Sequence, residues 1–381
     1  MIYLDNAATT WPKPPVVIEA MEKVLTQMGA NPGRAAHGMA LMASRTIVKA
    51  RESIARLFNI PDASCIVFGP NATFALNQAI KGFLKPGDHV VTTSMEHNSV
   101  FRPLWSLQKQ GVKMSIVQCS ETGQLDVEKL EKALQPNTAL IVMTHASNVT
   151  GTLLPVKEVG EVATARGVKL LLDAAQTAGV YPIDVQKLHI DMLAFPGHKG
   201  LLGPQGTGGL YVREGIELIP LLEGGTGGNS ESPEQPQVMP DRLESGTHNT
   251  AGIAGLGAAV DYIMEQTVDK VRRHELELVA HFLDEVKKMP GITIYGPQNP
   301  EQKVGVVSLN VANADCGEIG YLLDQVYGIG VRTGLHCAPN AHRTIGTLES
   351  GTVRVSFSYF NTHDDVEQCL KAFSEIARNL V

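Results

Sequence analysis

KLLLDAAQTAGVYPIDVQKLHIDMLAFPGHKG, residues 169–200, holds two apolar, β-rich runs, KLLLDAA (169–175) and MLAFPG (192–197), with Asp173 at the end of the first and Lys199 just beyond the second. Neither run alternates apolar with polar residues, the pattern of strands buried on both faces. Outward from this stretch the theme repeats. Runs at 64–69, 89–94, 113–118, 139–145 and 208–212 alternate with helical patterns, which predicts an α/β unit with a mostly parallel sheet flanked by helices. Ligands collect beyond the carboxyl ends of strands in such sheets, so Asp173 and Lys199 are expected to share one crevice.

Beyond the last of these strands, EGGTGGNSESPEQPQVMPD (223–241) breaks all periodicity and reads as a long loop. Residues 253–289 read as one long helix. VGVVSLNV, a helix near 317–326, GIGVRT, TVRVSFSYF and a final helix then form a smaller α+β unit. Thr362 and Asp365 stand in capping-box positions before that last helix. The expected division is a large domain over 15–250 and a small domain of 1–14 and 251–381, within a chain of 381 residues.

Composition narrows the function classes. Hydrophobic residues make up 43% and charged residues 19%, and the net charge of -7 is not gathered into blocks. That speaks against nucleic acid or an anionic membrane as a partner. The chain has no apolar run near the ~20 residues of a membrane span, and it opens on MIYLDNAATT without a basic region and apolar core. A cytoplasmic protein is the expectation. Five cysteines without a C-x-x-C pair argue against a disulfide framework and against structural zinc. Cys119 and Cys369, in apolar segments, read as small buried hydrophobes.

An acid and an amine in one crevice suit a pyridoxal enzyme: the lysine forms the Schiff base and the acid keeps the pyridine nitrogen protonated. An ordinary salt bridge at a sheet edge would use the same pair. FGPNATFALNQAI (68–80) adds a strand, a Gly-Pro turn and a helix start, where free N–H groups and the Thr73 hydroxyl favour phosphate. It lacks the glycines and lysine of a P-loop. His97, in TTSMEHNS, follows another strand end, from which an imidazole stacks on a flat ring and shuttles protons near neutral pH. Asn148 in HASNVTG and Gln176 in DAAQ complete a polar rim.

With YLDNAATT, MEHNS, SNVTG, DAAQ, GHKG, ESGTHNTAGI, RTGLHCA and VRVSFSYFNT, the sequence resembles the class V aminotransferase family along its whole length, in the branch of group II cysteine desulfurases and selenocysteine lyases. The resemblance implies the type I fold of pyridoxal-phosphate-dependent transferases, with pyridoxal 5'-phosphate on Lys199. It implies that Asp173 pairs with the pyridine nitrogen, Gln176 bonds the ring hydroxyl and His97 stacks on the ring. Ala72, Thr73 and His198 would hold the phosphate, and Thr247 would reach the phosphate of a second subunit, which makes a homodimer the expected unit. Arg354 would clamp the substrate carboxylate with Asn148 nearby, while His37 and Arg332 would line the entrance. Pro196 stands where related enzymes often carry a hydroxyl residue, and NATFALN replaces their usual Thr-Thr-Glu-Gly pattern.

The same resemblance makes Cys337 the nucleophile that takes sulfur from L-cysteine, leaving alanine and a persulfide for a sulfur-accepting protein or small thiol. Sulfur capture requires a thiolate, which the neighbouring His336, nearby arginines and partial exposure would favour. A selenocysteine lyase, an aminotransferase or β-eliminating enzyme of the same fold, and a scaffold without chemistry are the alternatives.

Overall fold

In the computed structural model, which describes residues 1–33, 37–227 and 231–380, the seven runs read as strands pair into a single sheet. The chain begins with β1 (Ile2–Tyr3), α1 (Pro15–Gln27), α2 (Gly38–Phe58), β2 (Ile66–Gly69), α3 (Ala72–Phe83), β3 (His89–Thr93), α4 (Asn98–Gln108) and β4 (Lys113–Val117). It continues through α5 (Val127–Ala133), β5 (Thr138–Thr144), α6 (Val156–Arg166), β6 (Lys169–Asp173), β7 (Met192–Pro196) and β8 (Gly208–Val212). The strand order is β2-β8-β7-β6-β5-β3-β4, parallel from β4 to β7, with β8 alone reversed and antiparallel to both its neighbours, β7 and β2.

Leu170, Leu171 and Leu172 in β6 and Leu193, Ala194 and Phe195 in β7 have no exposed surface, because helices cover both faces. In register, Thr144 lies opposite Asp173, and Asp173 opposite Ala194. The turns that follow β5, β6 and β7 therefore leave one edge of the sheet, carrying Asn148, Gln176 and Lys199 together.

The second half comprises α7 (Thr250–Gln266), α8 (Val268–Val286), β9 (Ile292–Tyr295), β10 (Val306–Val311), α9 (Cys316–Tyr327), β11 (Ile329–Gly330), β12 (Arg332–Gly334), α10 (Pro339–Thr344), β13 (Thr352–Ser356) and α11 (His363–Leu380). Its sheet is antiparallel in the order β12-β13-β10-β9. The expected capping box is formed: Thr362 N donates to Asp365 Oδ2 at 2.9 Å, and Asp365 N donates to Thr362 Oγ1 at 3.2 Å. The 223–241 stretch contains no helix or strand among its described residues, and positions 228–230 lie outside them.

Two readings change. The long helix expected over 253–289 is two helices, broken at Thr267, whose φ of 67° ends α7 while its hydroxyl accepts from Lys270 N to cap α8. The division expected at residue 250 gives α7 to the small domain, but α7 packs against α1 and α2. Its Ile253, Leu256, Val260 and Ile263 join the core of the seven-stranded sheet, whereas the second core takes up the chain at Leu278 in α8. Burial of an apolar helix face, not sequence position, decides the matter. The N-terminus joins the second unit through β1, which pairs in parallel with β11.

Candidate active site

At the carboxyl edge of the large sheet lies a cavity. Ala72, Thr73, His97, Asn148, Asp173, Gln176, His198 and Lys199 line it. Eight residues marked in the sequence thus come together from the ends of five strands, β2, β3, β5, β6 and β7. Asn71, Ser99, Thr144 and Pro196 also line it.

Asp173 is 2% exposed, and its Oδ1 accepts from Ala175 N at 2.9 Å. Burial pushes its carboxyl above the usual range, against the pull of that N–H and of the Lys199 charge. Lys199 is pushed down to about 8 by burial and by the Arg354 and Arg332 charges, with Asp173 and Asp5 opposing. An amine near that value loses its proton readily, as a Schiff-base lysine must.

His97 caps α4: its Nδ1 accepts from Ser99 N at 3.1 Å, which leaves the ring proton on Nε2. Burial, then Lys199, Arg332 and Arg102, push its pKa down to about 4. The ring is therefore neutral at physiological pH. The imidazole offers the cavity a flat, uncharged surface with one N–H donor.

The phosphate-side features are local. Asn71 caps α3, its Oδ1 accepting from Phe74 N at 2.9 Å, and the first-turn amides of Ala72 and Thr73 have no intrahelical acceptor. Thr73 Oγ1 lies 2.8 Å from Ser99 Oγ. His198 Nδ1 is buried without a partner, and burial, with Lys199 and Lys13, pushes this imidazole down to about 4. An unpartnered ring nitrogen, free helix amides and a hydroxyl suit a phosphate; a buried carboxylate and a softened lysine suit the pyridine and aldehyde of the same molecule. The residues present fit pyridoxal phosphate.

Sequence reading passed over the clamp behind Lys199. The carbonyl of His198 accepts from Lys13 Nζ at 2.8 Å, Thr10 N at 3.1 Å and Thr9 Oγ1 at 3.1 Å, while Thr10 Oγ1 donates to Lys199 O at 3.0 Å. YLDNAATT was legible as a motif, but no local pattern says that it folds against residues 189 positions away. Glu96 was also missed. It is 1% exposed, and its Oε1 accepts from Thr93 Oγ1 at 2.6 Å and Thr144 N at 3.1 Å, bracing the end of β5.

Arg354, in β13, is fully buried, donating to Asn148 O at 3.0 Å and to Asp5 Oδ1 at 2.7 Å. Asn148 Nδ2 donates to His336 O at 2.7 Å, tying the cavity to the Cys337 loop. Cys337 is exposed in a left-handed turn (φ 59°), its carbonyl accepting from Asn98 N at 2.9 Å, and Arg332 Nη2 lies 3.6 Å from its Sγ. The expected help from His336 fails: its ring bonds Thr352 Oγ1 at 2.9 Å, and burial and Arg354 push it down to about 2, so it carries no positive charge. Arg332 supplies the neighbouring cation. His37 and Thr247 do not line the cavity. His37 is exposed at the N-cap of α2, and Thr247 lies in a separate groove with Phe74, Leu222 and His248.

Fold and cavity are those of the type I class of pyridoxal-phosphate-dependent transferases, and the chain belongs to the aminotransferase class-V family, whose profile matches residues 2–369. It is similar to a probable cysteine desulfurase of Methanothermobacter thermautotrophicus, 38% identical over 99% of this chain and 94% of the relative. It is 33% identical to a cysteine desulfurase of Salmonella agona, over 100% and 94% of the two chains. Its structure superposes on the apo cysteine desulfurase of Thermococcus onnurineus with a TM-score of 0.94 at 34% identity, covering 100% and 95%.

Proposed function

We propose that this protein is a pyridoxal-phosphate-dependent cysteine desulfurase that converts L-cysteine to L-alanine and holds the sulfur as a persulfide on Cys337. The observation that carries the reading is Cys337, an exposed thiol 3.6 Å from Arg332 Nη2, on a loop tied through Asn148 to the cavity that holds Asp173 and Lys199.

Bound pyridoxal phosphate would supply the sink for electrons released from the substrate carbon. Asp173 would hold the proton of the pyridine nitrogen, Gln176 would bond the ring hydroxyl, and His97 would cover the ring face with its neutral imidazole. Ala72 N, Thr73 and His198 would hold the phosphate. Arg354 with Asn148 would bind the substrate carboxylate, and Lys199 Nζ would move the proton at the substrate's α carbon. Cys337 Sγ, beside the Arg332 charge, attacks the substrate sulfur; an S–S bond forms as the C–S bond breaks, and protonation of the carbon yields alanine.

A homodimer is part of the reading. Exposed Leu25 on α1 and Met39, Leu41 and Met42 on α2 offer apolar surface for a second copy, and the Thr247 groove would face that copy's phosphate. His37 would serve the entrance from the same side. No helix among the described residues is long and apolar enough to cross a membrane, and a cytoplasmic setting belongs to the proposal.

Purified protein supplied with L-cysteine and a reductant should release sulfide and alanine in equal amounts, and Cys337→Ala should release neither. No sulfide from the native chain would overturn the assignment. Activity on L-selenocysteine that survives Cys337→Ala would favour the lyase instead.

A further inference from the structure

Adjoining the cavity, with which it shares Thr73, His97 and Ser99, a groove of about 430 Å³ runs between α3 and α4 to Cys337. We propose that this groove binds carboxylate-bearing small thiols and delivers them to the sulfur carried on Cys337, a proposal that rests on the desulfurase reading. Thr73, His97 and Ser99 form its inner end, and Lys81 and Arg102 flank its outer part. Its volume falls in the range of small-molecule sites, roughly 300–1,000 Å³.

Charge points to the ligand class. Lys81 and Arg102 are both exposed, neither forms an ion pair or hydrogen bond with a described residue, and no carboxylate lines the groove. Arg102 stands in the middle of α4, away from the C-terminal turn where the helix dipole would favour a cation. With Arg332 at the Cys337 end, three guanidinium or ammonium groups follow the path to the thiol in a protein whose net charge is -7. A cleft lined by one sign of charge concentrates ligands of the other and speeds their arrival.

The step balances without an oxidant. The acceptor thiolate attacks the outer sulfur of the Cys337 persulfide and a new S–S bond forms on the acceptor. The Cys337 S–S bond breaks, and its electron pair stays on Sγ, restoring the thiolate.

The test uses the cofactor-loaded full chain, charged with one sulfur from L-cysteine and freed of excess substrate. Loss of the extra sulfur from Cys337 is followed by mass after adding mercaptosuccinate (anionic), 2-mercaptoethanol (neutral) or cysteamine (cationic) at equal thiolate concentration. Mercaptosuccinate should react about tenfold faster than 2-mercaptoethanol, and cysteamine more slowly than either. The advantage should shrink with added salt and in the Lys81→Ser/Arg102→Ser double variant, in which the 2-mercaptoethanol rate stays unchanged. Equal rates for the three thiols, or an advantage untouched by the double substitution, would overturn the proposal. Calorimetric titration with succinate decides the groove independently: heat of binding in the native protein must vanish in the double variant, and no binding to either sinks the site. If L-cysteine leaves no sulfur on Cys337, the desulfurase reading fails, and the succinate titration still returns its answer.

Discussion

Arg354 Nη2 sits 2.7 Å from Asp5 Oδ1, joining the fully buried guanidinium of β13 to the segment after β1. The N-terminal segment and β13 therefore meet beside Asn148, whose carbonyl Arg354 also holds. Removing one partner of a buried pair leaves a desolvated charge, although Asp5 keeps some contact with solvent. Asp5→Asn should lower the unfolding free energy by about 2 kcal/mol. Urea denaturation checks it; an unchanged midpoint would mean that the pair contributes nothing net.

The Lys199 amine should control cofactor capture. Its pKa is near 8, so the neutral, nucleophilic form grows as pH rises through 8. Uptake of pyridoxal phosphate by the cofactor-free protein, followed by absorbance, should accelerate from pH 7 to 9 and then level off. Arg354 is among the charges that lower this pKa, so Arg354→Gln should move the midpoint upward. A midpoint unmoved or lowered would refute the electrostatic account.

Glu275, 4% exposed in α8, is held by burial at a pKa of about 8, with Arg272 pulling the other way. A folded-state value above the unfolded 4.5 means stability that is complete below pH 4.5 and is lost as pH rises toward 8. Glu275→Gln removes this slope. The variant should gain a few kcal/mol on the native protein between pH 5 and pH 8. Parallel melting curves at the two pH values would contradict it.

Lys13 acts on Lys199 through the His198 carbonyl and is a positioning residue. Its Nζ donates to His198 O at 2.8 Å and to Thr10 Oγ1 at 2.7 Å. Lys13→Met should weaken cofactor retention about tenfold, the worth of one charged hydrogen bond, and shift the cofactor's absorbance pH profile. Lys13→Arg should restore part of the effect. A variant with a native spectrum and native retention would remove Lys13 from the clamp.

Thiol reactivity should follow exposure and charge. Cys337 is exposed, Cys65 is half-buried with its pKa raised by burial, burial pushes Cys119 up to about 11, and Cys369 has no exposed surface. Brief alkylation of the native protein, mapped by peptide mass, should modify Cys337 first and Cys369 only after unfolding. Early labelling of Cys119 would contradict the burial reported for it.

Continuous apolar runs such as KLLLDAA and MLAFPG were sufficient to identify the strands, because a strand buried on both faces leaves no polar alternation. Asp173 and Lys199 were legible for the same reason: strand ends in a parallel sheet share one edge. The capping box at Thr362 was legible because its chemistry is local. The break at Thr267 was not, since a threonine with positive φ carries no strong signature in a run that is otherwise helical.

What the sequence determined by itself was therefore the periodic and the local: the layered α/β half, the strand-end residues and the motif that contains Cys337. Only the tertiary structure decided the rest. It assigned α7 to the large core, set the Lys13 and Thr10 donors on the His198 carbonyl, held His97 and His336 neutral, and put Arg332 rather than His336 beside the Cys337 sulfur. Those outcomes depend on burial and on partners remote in sequence, and burial and charge, which act through space, set each proton and each pairing.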